Sequence, residues 1–224
     1  MIEQDDIFAE IKNNLALWCD TDCKGADLAA AAGNAIANKL RAISVEQTEI
    51  GQLWAWLENK NIEIFGRFWI NTKIDDALMS DLATRISTSF CDGADGAIIF
   101  MRLRDLARFV SEMSCVRDDL FFNKTLSIGL DINEIESSDW ENVFRMLRDV
   151  RADAITLFLS NDDGNKSDFV GRIYALLTSE IGDWHGAIYF VSNENISRID
   201  QVFRLTQQIR PDLASSMLFW VKNE

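Results

Sequence analysis

Two charged residues sit inside apolar runs, where a charge needs a reason. Asp131 closes Leu126-Ser127-Ile128-Gly129-Leu130-Asp131, and Arg67 lies within Glu63-Ile64-Phe65-Gly66-Arg67-Phe68-Trp69. Both runs alternate with period two, which means β-strands, and both charges fall on the less aliphatic face. Two readings follow. The residues can form a buried ion pair that holds strands in register. Alternatively, Arg67 orients a small anion or carbonyl compound, while Asp131 acts as acid or base or holds a divalent cation.

Lys222, in Trp220-Val221-Lys222, is the one lysine that a last strand could project from its end, and a desolvated lysine can form a Schiff base. Asp131 and Lys222 are therefore the candidate catalytic residues. The candidate binding residues are Arg67, Arg102, Asn133, Thr156, Asp162, Tyr189 and Asn193. Arg102, Asn133, Asp162 and Asn193 follow strands, whereas Thr156 and Tyr189 lie on polar strand faces. Polar strand ends also have a structural use: Asn, Asp, Ser and Thr cap the helices that follow, which accounts for Thr72, Ser167, Asn195 and Asp163.

The elements that must position these residues repeat. Strands are expected at 62–70, 96–103, 126–132, 154–160, 186–192 and 217–221. Amphipathic helices are expected between them, at 73–90, 104–116, 137–150, 167–181 and 195–209. A repeat of about 30 residues suits βαβ crossovers and parallel pairing. Three strand entries resemble one another: Asp95-Gly96-Ala97-Ile98, Asp153-Ala154-Ile155 and His185-Gly186-Ala187-Ile188. Residues 1–60 read as a helical extension packed on a (β/α) repeat domain at 61–224. The stripe Ile7, Ile11, Leu15, Trp18 favours a helix over 5–19, with a strand at 15–19 as the alternative. Further helices run from Asp27 to Ile43 and from a Ser44 cap to Asn59. Trp18, Trp54 and Trp56 should cover a barrel end or sheet edge.

One aliphatic face and one polar face per strand favour a TIM-barrel-like α/β fold, partial, with about six parallel strands. An open doubly wound parallel sheet, greasy on both faces, is the alternative. Arg102 resists the barrel if all the Ala-Ile entries share a register.

The 224 residues carry a formal charge of -14, which repels phosphate backbones and anionic lipid. No nucleic-acid or membrane partner is expected, and an acidic start without a signal-peptide pattern suggests the cytoplasm. No Gly-x-Gly-x-x-Gly or P-loop occurs, and the sequence names no cofactor. Cys19, Cys23, Cys91 and Cys115 match no zinc spacing and read as free thiols, with no metal site. The sole histidine, His185, precedes its strand and so lies opposite the expected site. Two functions fit. One is a lyase- or isomerase-like enzyme acting on a small, polar, oxygen-rich metabolite. The other is a non-catalytic barrel-like module that binds a protein partner or assembles with itself.

Overall fold

The computed structural model describes residues 11–159, 166–179, 184–192, 196–214 and 216–222. Its centre is a closed barrel of eight parallel strands in sequence order. These are β1 (Leu15–Trp18), β2 (Ala42–Glu46), β3 (Glu63–Trp69), β4 (Gly96–Phe100), β5 (Thr125–Asp131), β6 (Ala154–Leu159), β7 (Ala187–Ser192) and β8 (Leu218–Lys222). β8 pairs with β1 from Leu15↔Phe219 to Trp18↔Lys222, which closes the ring. The helices are α1 (Gly25–Asn38), α2 (Ile50–Leu57), α3 (Asp76–Cys91), α4 (Leu103–Met113), α5 (Arg117–Leu120), α6 (Trp140–Asp149), α7 (Lys166–Thr178), α8 (Ile196–Ile209) and α9 (Pro211–Ala214). The chain is an α/β TIM barrel, and the open sheet is rejected.

The expected six strands become eight because two lie inside the stretch read as helical. β1 is four apolar residues embedded in a helix-like stripe, and β2 starts where Ser44 was expected to cap a helix. Ser44 instead faces the barrel interior, buried, beside Trp18 and Phe65 in register. β2 and β3 flank residue 60 and pair over five residues, so the sheet has no break there. Trp18 is a barrel-interior residue rather than a cover, and Trp54 is exposed.

Outward side chains such as Ile64, Phe68, Ile99, Ile128, Leu130, Ile155 and Leu157 pack under the helices in one apolar layer. The inner faces form a second cluster containing Phe65, Ile98, Phe100, Tyr189, Val191, Trp18 and Trp220. Trp220 meets Phe65 edge-on at 5.5 Å, and Trp18 meets Phe100 at 5.7 Å and Phe158 at 5.5 Å. These rings need room across a narrow barrel, and inward glycines supply it. A Cβ on Gly129 would lie 2.1 Å from the Phe100 ring, and one on Gly96 would lie 2.5 Å from Phe65.

The repeated Asp entries have a mechanical role at the opposite end. Asp95 donates its N–H to the Ile64 carbonyl at 2.8 Å, while its carboxylate accepts the Ile64 N–H at 2.9 Å. Asp153 does the same to Leu126, at 2.9 and 2.8 Å. Each aspartate thus clasps the start of the preceding strand and satisfies backbone groups there. His185, which occupies this place in the third entry, is exposed.

Candidate functional site

In a barrel of parallel strands, the strand C-terminal ends form one rim, and ligand sites of this architecture lie there. Register places Trp18, Glu46, Arg67, Trp69, Phe100, Asp131, Phe158 and Lys222 near that rim, pointing inward. Arg67 is directly opposite Glu46 on the neighbouring strand. Its Nη2 lies 3.2 Å from Glu46 Oε1. The approach makes no hydrogen bond, and Arg67 Nε has no acceptor among the described residues. The guanidinium lies 4.3 Å over the Trp18 ring, a cation–π contact. Arg67 is 1% exposed. Burial pulls it below the usual guanidinium value, and the Glu46 carboxylate opposes that.

These groups line a cleft of about 370 Å³ together with Asp20, Thr21, Asp22, Trp69, Phe158 and Lys222. Lys222 Nζ pairs with Asp20 at 3.3 Å. Lys222 is also the one lysine within a strand among the described residues. A second cleft of about 240 Å³ lies beside the first and is lined by Asn71, Phe100, Arg102, Gly129 and Asp131 among others. Trp69 and Phe158 border both clefts, with ring centroids 6.0 Å apart. Trp69 stacks on Phe100 at 4.3 Å yet is 41% exposed, so these rings floor and divide the mouth.

The sequence-based candidates separate accordingly. Arg67 and Lys222 share the first cleft, and Asp131 and Arg102 share the second. Asp131 and Arg67 do both face inward, but they form no ion pair. Glu46 holds the arginine, and Asp131 accepts the Asn133 N–H at 2.8 Å in a tight turn. Arg102 fits the barrel because β4 has the opposite register to β6. Gly96, Ile98 and Phe100 point inward, and the strand ends before Arg102, which precedes α4 and is exposed. Asn133 is exposed beyond β5. Thr156 and Tyr189 line neither cleft. Thr156 is buried inside the barrel and bonds Ser127 at 2.7 Å. The Tyr189 ring packs among Phe65 and Trp220, and burial pushes its hydroxyl up to about 12, with Arg41, Glu63 and Asp153 as its charged neighbours. Asp162 and Asn193 lie outside the described residues, as do Asp163 and Asn195. Thr72 is not the cap of α3: Asp75 is, accepting the Leu78 N–H at 2.9 Å.

Sequence reasoning missed Glu46, Trp18 and Trp69. The signal for Glu46 was present, because Ala42-Ile43-Ser44-Val45-Glu46 alternates as the other strands do. Cys19 and Cys23 adjoin this cleft, and burial pushes both thiols up. All four cysteines are free. No cluster of metal-ligating side chains is present among the described residues. No helix among them is long and apolar enough to cross a membrane.

No protein-family model and no curated protein matches the chain. Solved structures do. The tetrameric deoxyribose phosphate aldolase from Aeropyrum pernix superposes with a TM-score of 0.69 at 11% identity, covering 99% of this chain and 94% of that one. A proposed copper homeostasis protein, CutC, from Streptococcus agalactiae gives 0.68 at 11% identity, covering 93% and 97%. Triosephosphate isomerase from Bartonella henselae gives 0.51 at 13% identity, covering 93% and 92%. At these identities the likeness establishes the shared barrel fold.

Proposed function

We propose that this chain is an enzyme of the lyase or isomerase type, acting on a small, oxygen-rich metabolite at the barrel mouth. The observation that carries the reading is Arg67: a buried guanidinium with an unaccepted Nε–H, lining a small cleft beside a carboxylate. A carbonyl oxygen at that edge would be polarised by a fixed positive charge in a water-poor setting. Glu46 would then take a proton from the adjacent carbon, the C–H electron pair would form the new C=C bond, and the carbonyl π pair would move onto the oxygen as an enolate. Where the adjacent carbon bears a hydroxyl, passing the hydroxyl proton to the enolate oxygen and returning the Glu46 proton to the former carbonyl carbon isomerises the substrate. The same enolate is the carbon nucleophile of an aldol addition, and in the reverse cleavage it is the fragment released as the β-hydroxyl loses its proton and becomes a carbonyl. Lys222, held by Asp20, supplies rim charge, and its use as a Schiff-base nucleophile would require loss of that pairing and of its proton. Asp131 and Arg102 would contact the far end of a ligand reaching past Trp69. Aldolases and an isomerase among the structural neighbours support the reading by analogy of fold. In this reading the protein works in the cytoplasm, alone or as a homo-oligomer.

The test is hydrogen exchange. The protein is incubated in deuterated water with dihydroxyacetone, dihydroxyacetone phosphate, glyceraldehyde 3-phosphate and pyruvate, and C–H loss is followed by NMR. Exchange above the uncatalysed rate, lost in Glu46→Gln, supports enolisation. Absence of exchange with every compound moves the non-catalytic module ahead. One observation favours that second reading: among the described residues, Phe65, Trp220, Tyr189 and Trp18 pack together across the barrel axis below the mouth.

A further inference from the structure

We infer that the ligand of the Arg67 cleft is a small monocarboxylate bearing an oxygen on the adjoining carbon, a 2-oxo or 2-hydroxy acid. The inference rests on the preceding reading and narrows its substrate class. The two arginine nitrogens lacking hydrogen bonds are Nε and Nη2, which form one edge of the guanidinium. Their parallel N–H groups match, in a single plane, one carboxylate oxygen and the oxygen on the adjoining carbon, which keeps the polarised carbonyl at this edge. The guanidinium face is covered by Trp18, so a ligand is received at the edge. Glu46 Oε1, next to that edge, also lacks a hydrogen-bond donor. It can accept from a 2-hydroxyl group, and this pairs one unsatisfied acceptor with the neighbouring unsatisfied donors.

Charge and size select within the anions. The lining holds two cations, Arg67 and Lys222, against three carboxylates, Asp20, Asp22 and Glu46. A phosphate dianion adds twice the charge of a carboxylate beside those acids, and the repulsion grows in proportion. Trp18, Trp69 and Phe158 wall a volume of about 370 Å³, which suits an acid of a few carbons.

The experiment is a tryptophan-fluorescence titration of the full chain with pyruvate, glycolate, inorganic phosphate and dihydroxyacetone, reporting through Trp18 and Trp69. Pyruvate and glycolate should saturate, with phosphate and dihydroxyacetone weaker by about tenfold or more. Arg67→Lys, which loses the planar edge, should weaken pyruvate by about tenfold. Glu46→Gln removes the competitor for Nη2 and should tighten pyruvate by about threefold. If Arg67→Lys does not fold, Glu46→Gln decides, and unchanged or weaker pyruvate binding overturns the inference. Saturation by phosphate or dihydroxyacetone at equal or lower concentration overturns the carboxylate assignment and leaves the small-metabolite reading standing. Saturation by none of the four overturns the carboxylate assignment, and the exchange experiment alone then decides the small-metabolite reading.

Discussion

Glu46 and Arg67 occupy directly opposed positions on β2 and β3 and close an ion pair of 3.2 Å beneath the barrel mouth. The partners differ in hydration: the Arg67 side chain is 1% exposed and that of Glu46 is 26% exposed. Removing the carboxylate therefore strands a buried charge, whereas removing the arginine leaves an acid that water can reach. Glu46→Gln should cost about 3 kcal/mol and Arg67→Met less, about 1–2 kcal/mol. Urea unfolding of both variants checks the order. The reverse order would mean that Arg67 is held chiefly by its packing on Trp18.

The catalytic assignment makes a paired prediction. Glu46→Gln should slow substrate C–H exchange by about 100-fold, the usual scale for loss of a general base. His185→Ala should leave exchange within about twofold, because His185 precedes β7 and lies at the far end of the barrel. An NMR time course on the two variants reads both outcomes. Loss of exchange in the His185 variant alone would move the site to the other rim.

Gly129 is a size-restricted position. Its absent side chain admits the Phe100 ring, which would lie 2.1 Å from a Cβ there. Gly129→Ala should destabilise the fold by about 1–3 kcal/mol through overpacking. Phe100→Leu in the same chain should recover part of that loss, and a double-mutant cycle measured by thermal or urea unfolding should be strongly non-additive.

Tyr189 gives a pH dependence. Burial raises its hydroxyl to about 12, above the ordinary tyrosine value. The folded protein then keeps a proton that the unfolded chain has released. The stability this represents is whole below about pH 10 and is lost as pH climbs towards 12. The difference between wild type and Tyr189→Phe should therefore shrink by about 2 kcal/mol across that window. Melting curves at stepped alkaline pH measure it. A constant difference would mean that the hydroxyl ionises freely.

Most of the barrel was legible because β3 and β5 to β8 alternate and are separated by amphipathic helices of ordinary length. β1 was not, since Leu15-Ala16-Leu17-Trp18 is apolar throughout and sits within a helical stripe of Ile7, Ile11, Leu15 and Trp18. β2 was hidden by Ser44 and Glu46, whose types and positions suit a helix start as well as an inward strand face. With β2 unseen, Glu46 was unavailable as a partner, and Asp131 took its place beside Arg67. The division of the mouth by Trp69 and Phe158 depends on which way large rings turn inside the barrel. Alternation identifies the inward face but not the direction of a ring upon it.

The clasps made by Asp95 and Asp153 bear on where this chain can be cut and rejoined. β1 and β8 are hydrogen-bonded neighbours, so the first and last strands adjoin and circular permutation is topologically open. New ends placed at residues 101–102, in the connection after β4, leave both carboxylate clasps within continuous segments. New ends placed between Gly93 and Asp95 free the aspartate that fixes the start of β3. They also release Gly93, whose φ of 108° and close packing on Trp54 depend on an unbroken turn. The floor of the barrel thus acts as the seam that must stay sewn, and the rim around the cleft is where the chain tolerates being reopened.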